Sequence, residues 1–564
     1  MSSASNSAWA SPRLSDHNNE EFVPVSNISN NGILQPKPSS KIKRIRHPTD
    51  SFFLLRLCQL IVSFVLNATL FVLCLCLCLT VLPLVLFIRR IMETCCVKTN
   101  TRHGKLDTVN SLDAIWLSPT INNNSISSLF FLLEGHINVE ELKELINDKW
   151  LHYCSAKKKY RFAKLRMCAV EVCSGFAWRK LGDLQTENFV CVSDQSGTEI
   201  SAVEFLGVNS YIDEVNSNDP KRLWQVTVFP KFLDSEDSGI LFQMHHSVCD
   251  IFPFARFVFE SLEYKNVYLK DRCFPMHRLC LYFCTAFAGP LIVTRRLFHS
   301  KAKTILDQNN DCQYNKVLWS EAIDMKSVKK VKDISRTKVN VILMSCLAGA
   351  LRSYFYMCGI DHPDDLRACI KIDTRPQHTK LRLDNHLSYV FVDLPSATEG
   401  AVPRLWDMRR RMEDFNSMIE GFAFFAFLRF CLILFPLSLA RRVVDFLLGK
   451  ASCTVTFLSG PNTPVYFNGK MAKYMTFWEP KPNSSGLSLS IATYGNHVRL
   501  GAVFHQEQPC DPQLLLTEFQ KEVENLSKHL SQRTLPSHLR WRARQQILMQ
   551  QDEKEGSCSD EPAV

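Results

Sequence analysis

This 564-residue sequence lacks a nucleic-acid-like stripe of basic residues; 66 Lys and Arg stand against 56 Asp and Glu, a formal +10. So mild an excess argues against a nucleic acid partner and suits a membrane surface. The 22 cysteines lack the spacing of a disulfide framework and sit instead in apolar runs such as Leu73-Cys74-Leu75-Cys76-Leu77-Cys78. Reduced thiols in a cytosol-facing protein follow. No second ligand cluster with zinc-like spacing accompanies the one His-rich stretch, so neither a metal nor a bound cofactor is expected. What the sequence has in excess is length and apolar runs, which point to two lobes or domains plus tails.

Residues 1 to about 50 are rich in Ser, Asn and Pro and poor in large apolar groups, a composition that cannot offset the entropy of ordering. They end in Lys41-Ile42-Lys43-Arg44-Ile45-Arg46, which suits anionic headgroups, with a localisation signal or a merely solvated run as the alternatives. From Leu57 to Phe87 the sequence carries no charge, and only Asn67 interrupts it strongly. That is ample for a membrane-embedded segment, assigned to residues 51–92. It starts too deep and lacks the residue order of a signal peptide. Arginines flank it on both sides, so charge does not choose between a re-entrant hairpin bending near Asn67 and one tilted helix. Cys95 and Cys96 lie just beyond it and are candidates for acylation or chance thiols.

The soluble part begins near Ser111-Leu112-Asp113-Ala114-Ile115-Trp116-Leu117. Asn138 with Glu141 predicts a capped helix carrying Val139, Leu142, Leu145 and Ile146 on one face. Strands are expected at Phe189–Val192, Trp224–Phe229 and Tyr389–Leu394, and a hairpin over Leu487–Ala492 and Val498–Val503. Helical stripes run over Ser327–Asp333, over Val339–Tyr354 and along Leu515, Phe519, Val523, Leu526 and Leu530. The mixture predicts an α/β (mixed α+β) fold. Two further apolar segments, Leu279–Val293 and Phe422–Leu439, are interrupted by Pro290 and by Arg429 and Pro436. They are expected to lie in the headgroup region, buried core helices being the competing reading.

About midway, Gly239-Ile240-Leu241-Phe242-Gln243-Met244 reads as a buried strand that delivers His245-His246-Ser247-Val248-Cys249-Asp250 at its end. Neighbouring side chains on an extended backbone point oppositely, so only one histidine can face a cleft. An imidazole titrates near neutrality and can take a proton from an alcohol. Asp250 is expected to fold back and hold the loop and the ring. An incidental surface pair remains open, and metal binding by His245, His246, Cys249 and Asp250 fares worse because adjacent histidines diverge.

The pattern His-His-x-x-x-Asp resembles the motif of the coenzyme A-dependent acyltransferase superfamily, which includes chloramphenicol acetyltransferase, peptide-synthetase condensation domains and the wax ester synthase/diacylglycerol acyltransferase family. The last is matched in order over nearly all of residues 111–530. Leu112 to Leu117 is similar to its opening block, Arg222-Leu223-Trp224 to its Pro-Leu-Trp motif, and Val339-Asn340-Val341 through Arg352 to its Asn-Asp helix. Asp384-Asn385-His386 through Pro395 is similar to its Gly-Asn strand, and Ser459-Gly460-Pro461 with the hairpin to its C-terminal blocks. Departures fall at Ile251, Arg222, Val341 and the segment before Gly460.

The resemblance implies two chloramphenicol acetyltransferase-like lobes at 108–270 and 311–530, the second with the apolar segment 421–448, joined by an interfacial linker at 271–310. A disordered tail covers 531–564. It implies acyl transfer from acyl-CoA, a substrate, to a long-chain fatty alcohol or diacylglycerol, with His246 as base and no acyl-enzyme. Asp250 would be structural and paired with Arg375; His245 and Asn385 would support the centre. The expected setting is a lipid bilayer, that of the endoplasmic reticulum with the catalytic region facing the cytosol, or else the plasma membrane. A catalytically silent, membrane-anchored lipid or acyl-CoA carrier is the other function considered.

Overall fold

The computed structural model describes residues 53–99, 106–117, 125–154, 160–172, 175–182, 185–193, 223–232, 236–262, 275–299, 304, 306, 315–375, 380–412, 416–480, 486–505 and 510–531. The expectations for 1–50, its basic cluster, Arg222 and the tail from 532 lie outside these residues. Two units divide at Val62/Ser63, and the architecture below belongs to the second.

In chain order, α1 (Phe53–Thr99) is followed by β1 (Leu106–Thr108), α2 (Ser111–Ala114), β2 (Ile126–Leu133), α3 (Val139–Ile146), β3 (Met167–Val172) and β4 (Gly175–Lys180). Then come β5 (Val190–Val192), β6 (Trp224–Phe229), β7 (Ser238–His245), α4 (Ile251–Ser261), α5 (Pro275–Phe298), β8 (Asn315–Trp319), β9 (Ile323–Asp324), α6 (Met325–Ser335) and α7 (Val339–Met357). The remainder is β10 (Leu366–Asp373), β11 (Leu387–Leu394), α8 (Ala401–Met412), α9 (Asn416–Leu434), α10 (Leu437–Leu448), β12 (Cys453–Ser459), β13 (Tyr466–Phe467), β14 (Lys470–Trp478), β15 (Leu487–Tyr494), β16 (His497–His505) and α11 (Gln513–Ser531).

One sheet runs β13-β14-β2-β7-β6-β5 and the other β11-β10-β12-β15-β16-β8, with β9 also on β16; β1, β4 and β3 form a small third sheet. Strand β7, inside the first sheet, is buried along nearly its whole length, and its apolar residues run Ile240-Leu241-Phe242 without alternation. The assignment of 311–530 wholly to a second lobe is corrected here. Residues 466–478 leave that half and enter the first sheet, β14 pairing with β2 from Trp478↔Ser128 to Ala472↔Leu133. A two-residue strand, β13, and the Asn468-Gly469 turn at positive φ let the chain reverse there.

Helix α7 is apolar on every side and forms the middle of the second lobe, where Val341 to Leu351 are all buried. Its Gly349 admits the Arg404–Glu522 ion pair, since a Cβ there would lie 2.1 Å from the Arg404 guanidinium. Asn138 caps α3 by accepting from the Glu140 amide and donates to Glu141. The two interrupted apolar segments are packing helices with one bare side. Helix α9 lays Ala423, Phe424 and Leu432 into the core beneath β11, and α5 packs on α9, while Leu279, Tyr282 and Phe283 stay exposed. The run Phe422–Leu439 is two helices, because Pro436 ends α9 and opens α10.

Two helices among the described residues are long and apolar enough to cross a membrane. One is α7, already used as core. The other is α1, a single helix continuous through Asn67; Leu73, Leu77, Leu79, Leu84 and Phe87 on it are exposed. It is held against the second lobe by Phe64 and Phe71 on Phe287 and by Arg89, which donates to the Leu432 and Ile433 carbonyls at the end of α9.

Candidate active site

Strand β7 pairs with β2 in the register Ile126↔His245, so the chain leaves the sheet at His245. The turn that follows is tied back by the His246 amide to Ser125 O at 2.7 Å and the Val248 amide to His245 O at 2.9 Å. The two histidines diverge as an extended backbone requires. His245 is partly buried and its Nδ1 lies 2.8 Å from Ser247 Oγ. The His246 ring has no exposed surface and stacks on Trp116 with centroids 4.5 Å apart. Cys249 turns its thiol into the core toward Met244 Sδ, and among the described residues no group of His, Cys, Asp and Glu is placed to hold a metal.

Around His246 lie three groups that sequence reasoning missed. Its Nε2 is 3.2 Å from Ser127 Oγ and 3.2 Å from Glu479 Oε2. Ser127 donates to Glu479 Oε1 at 2.5 Å, and Lys371 Nζ donates to Oε2 at 2.9 Å. Each of these side chains is buried. Burial alone would raise the Glu479 carboxyl, but Lys371 first and then His246 and Ser127 hold it well below the usual carboxylate range. Ser127 has one proton and gives it to Glu479, so Nε2 faces the ionised carboxylate as a donor. The lone pair left free belongs to Nδ1, which is buried and has no hydrogen-bond partner.

Asp250 holds the loop and not the ring. It caps α4 by accepting from the Phe252 amide at 3.2 Å, and its two oxygens take Arg375 Nη1 at 3.2 Å, Nη2 at 2.8 Å and the His386 amide at 3.0 Å. The expectation that it would also hold the imidazole is corrected: no hydrogen bond joins them. Arg375 in turn reaches Asp373 and Asp384; despite burial these three carboxylates, Asp250 first, push its pKa above the ordinary arginine value. Asn385 positions His246 through the backbone, donating to His246 O at 2.7 Å and to Asp113 Oδ1 at 2.8 Å. Asp113, in the opening block, is itself met by Lys164 Nζ at 2.7 Å.

Two outcomes follow. Replacing Asp250 with Ala removes the α4 cap and one of three counter-charges to Arg375, and should destabilise the protein by about 2–3 kcal/mol in denaturant unfolding. Burial, then His246 and Arg441, hold His245 down to about 3, whereas an unfolded histidine titrates near 6.5. Between those values the unfolded chain binds more protons, so this contribution is complete above about pH 6.5 and is lost as pH falls toward 3. Thermal unfolding followed over that range should slope less steeply in His245→Gln.

Residues 383–527 match the family model of the WS/DGAT C-terminal domain. That stretch is a WS/DGAT C-terminal domain. The match spans Asn385, β11 and the β15–β16 hairpin; the His245–Asp250 motif lies before it. No curated protein matches the sequence closely. Among solved structures this chain is similar to the wax ester synthase/diacylglycerol acyltransferase from Marinobacter aquaeolei VT8, with TM-score 0.53 and 13% identity over 75% of this chain and 100% of that one. It is also similar to the TRI3 trichothecene 15-O-acetyltransferase from Fusarium sporotrichioides, with TM-score 0.52 and 9% identity over 75% and 94%. The first condensation domain of the calcium-dependent antibiotic synthetase gives TM-score 0.50 and 12% identity over 76% and 97%. At these identities the likeness is one of fold alone, shared with acyltransferases and a condensation domain.

Of the missed residues, Lys371 and Glu479 left some signal. The first puts a charge inside the apolar strand Cys369-Ile370-Lys371-Ile372, and the second puts a carboxylate directly behind Phe477-Trp478 and before Pro480. A buried charge in such a setting needs a partner. Ser127 left none.

Proposed function

We propose that the protein is a membrane-anchored O-acyltransferase that moves a fatty acyl group from acyl-CoA to a lipid alcohol, a long-chain fatty alcohol or diacylglycerol. The observation that carries this reading is the His246 imidazole, buried at the end of β7 with Nε2 against Glu479 and Nδ1 unpaired, in a chain with a WS/DGAT domain. His246 takes the hydroxyl proton as the alcohol oxygen attacks the thioester carbonyl. The tetrahedral adduct then collapses to the ester, and the departing CoA sulfur takes the proton back. Glu479 steadies the imidazolium formed between these steps, in the manner of a triad carboxylate. Complete burial excludes the water that would compete for the thioester.

The exposed apolar length of α1 supports the anchor: its 47 residues run about 70 Å, against a hydrocarbon core of about 30 Å. The endoplasmic reticulum, with the lobes in the cytosol, is the setting in which such lipid alcohols and acyl-CoA meet. Complete burial of the ring also favours a second reading, a silent carrier of lipid or acyl-CoA. Microsomes bearing the full chain, given labelled acyl-CoA with hexadecanol or diacylglycerol, decide between them. Labelled ester above that of microsomes lacking the protein supports the transferase; acyl-CoA binding without ester from either alcohol supports the carrier.

A further inference from the structure

The His246 ring is covered on one face by a second aromatic ring. Trp116 stacks on it at 4.5 Å, and the Arg441 guanidinium lies 5.3 Å from the same indole. The indole N–H makes no hydrogen bond with the described residues, and stacking and apolar packing hold the ring. Beyond it lies a narrow, mainly apolar cleft between α2, β11, α9 and α10, walled by Ile115, Leu387, Tyr389, Leu428 and Val444, with Trp116 and Asn385 also among its walls. Asn385 is the residue that donates to His246 O, so that end of the cleft lies beside the backbone of the base. At the other end Leu428 and Val444 sit on α9 and α10, helices whose outer sides expose Met418, Leu439 and Phe446.

The surroundings of Trp116 are tied by hydrogen bonds while its ring is held by packing alone. Asn110 caps α2 by accepting from the Leu112 amide, Asp113 is bound by Lys164 and Asn385, and Arg441 donates to Ile115 O. A rigid frame thus carries a flat side chain standing between an apolar cleft and the base. We propose that Trp116 is the acceptor-side gate: the alkyl part of the alcohol enters along the α9–α10 cleft, which holds only about 10 Å³ as it stands and has to widen, and its hydroxyl reaches His246 only when the indole swings aside. The proposal rests on the acyl-transfer reading and adds to it the route and the residue that sets acceptor width.

The test measures kcat/KM for hexadecanol and for diacylglycerol with one acyl-CoA, using the full chain in microsomes. Trp116→Ala should raise the diacylglycerol-to-hexadecanol ratio by about tenfold or more, the discrimination that one change of pocket size typically carries. Trp116→Phe, which keeps a flat ring, should leave the ratio within about twofold of wild type. Leu428→Trp fills the far wall without touching His246; it should raise the KM of both alcohols and leave that of acyl-CoA unchanged. If Trp116→Ala scales both acceptors equally, or Leu428→Trp leaves both alcohol KM values where they were, the gate is wrong. If the wild type makes no ester at all, it is the acyl-transfer reading that fails.

Discussion

Replacing His246 with Ala should lower ester formation by about 10²–10⁴-fold, the usual contribution of a placed general base, with acyl-CoA binding retained. The fold should survive, because Glu479 keeps its contacts to Lys371 and Ser127 and the loop keeps Asp250 on Arg375. A purified full chain in detergent, assayed for turnover and separately for acyl-CoA binding, separates the two quantities. Ester made by the variant at the wild-type rate would show that the proton goes elsewhere.

Glu479→Gln should cost stability as well as rate. The amide leaves the Lys371 ammonium buried without a counter-charge, a loss of about 3–5 kcal/mol when one partner of such a pair is removed. Lys371→Met alone should cost less, since Ser127 and His246 still donate to the carboxylate. The double variant Lys371→Met with Glu479→Gln should regain most of the stability, because replacing both partners of a buried pair is often close to neutral. It should not regain turnover, because His246 still lacks the carboxylate at Nε2. A double-mutant cycle with both readouts checks this; turnover recovering together with stability would reduce Glu479 to a structural group. Because the folded carboxyl is held below the ordinary range, its contribution is present above about pH 4.3 and is lost as pH falls through the lower folded value.

The elements legible in the sequence were those written in local periodicity. The stripe from Val339 to Tyr354 is α7, Trp224–Phe229 is β6, and the Leu487–Val503 hairpin is β15 and β16, because apolar spacing records which face is buried. Asp373-Thr374-Arg375-Pro376 gave Arg375 as a partner for Asp250, and the structure puts the guanidinium there. The Ser127–Glu479–Lys371 set was not legible for a topological reason. It joins β2 to the end of β14 and to β10 of the other sheet, and no local pattern records which distant strands become neighbours. The proline at 436 shows a milder form of the same limit, since hydropathy read one segment where backbone chemistry makes two helices.

The strand exchange at β14 bears on how this protein can be taken apart. A fragment ending before Tyr466 would leave β2 as a raw sheet margin, an unpaired row of amides and carbonyls inviting other chains to add to it. A fragment beginning after α4 would carry a surplus strand with nothing to bind. The halves are therefore expected to aggregate when expressed singly and to recover solubility when produced together, so that the polypeptide is divisible on paper but indivisible in the cell.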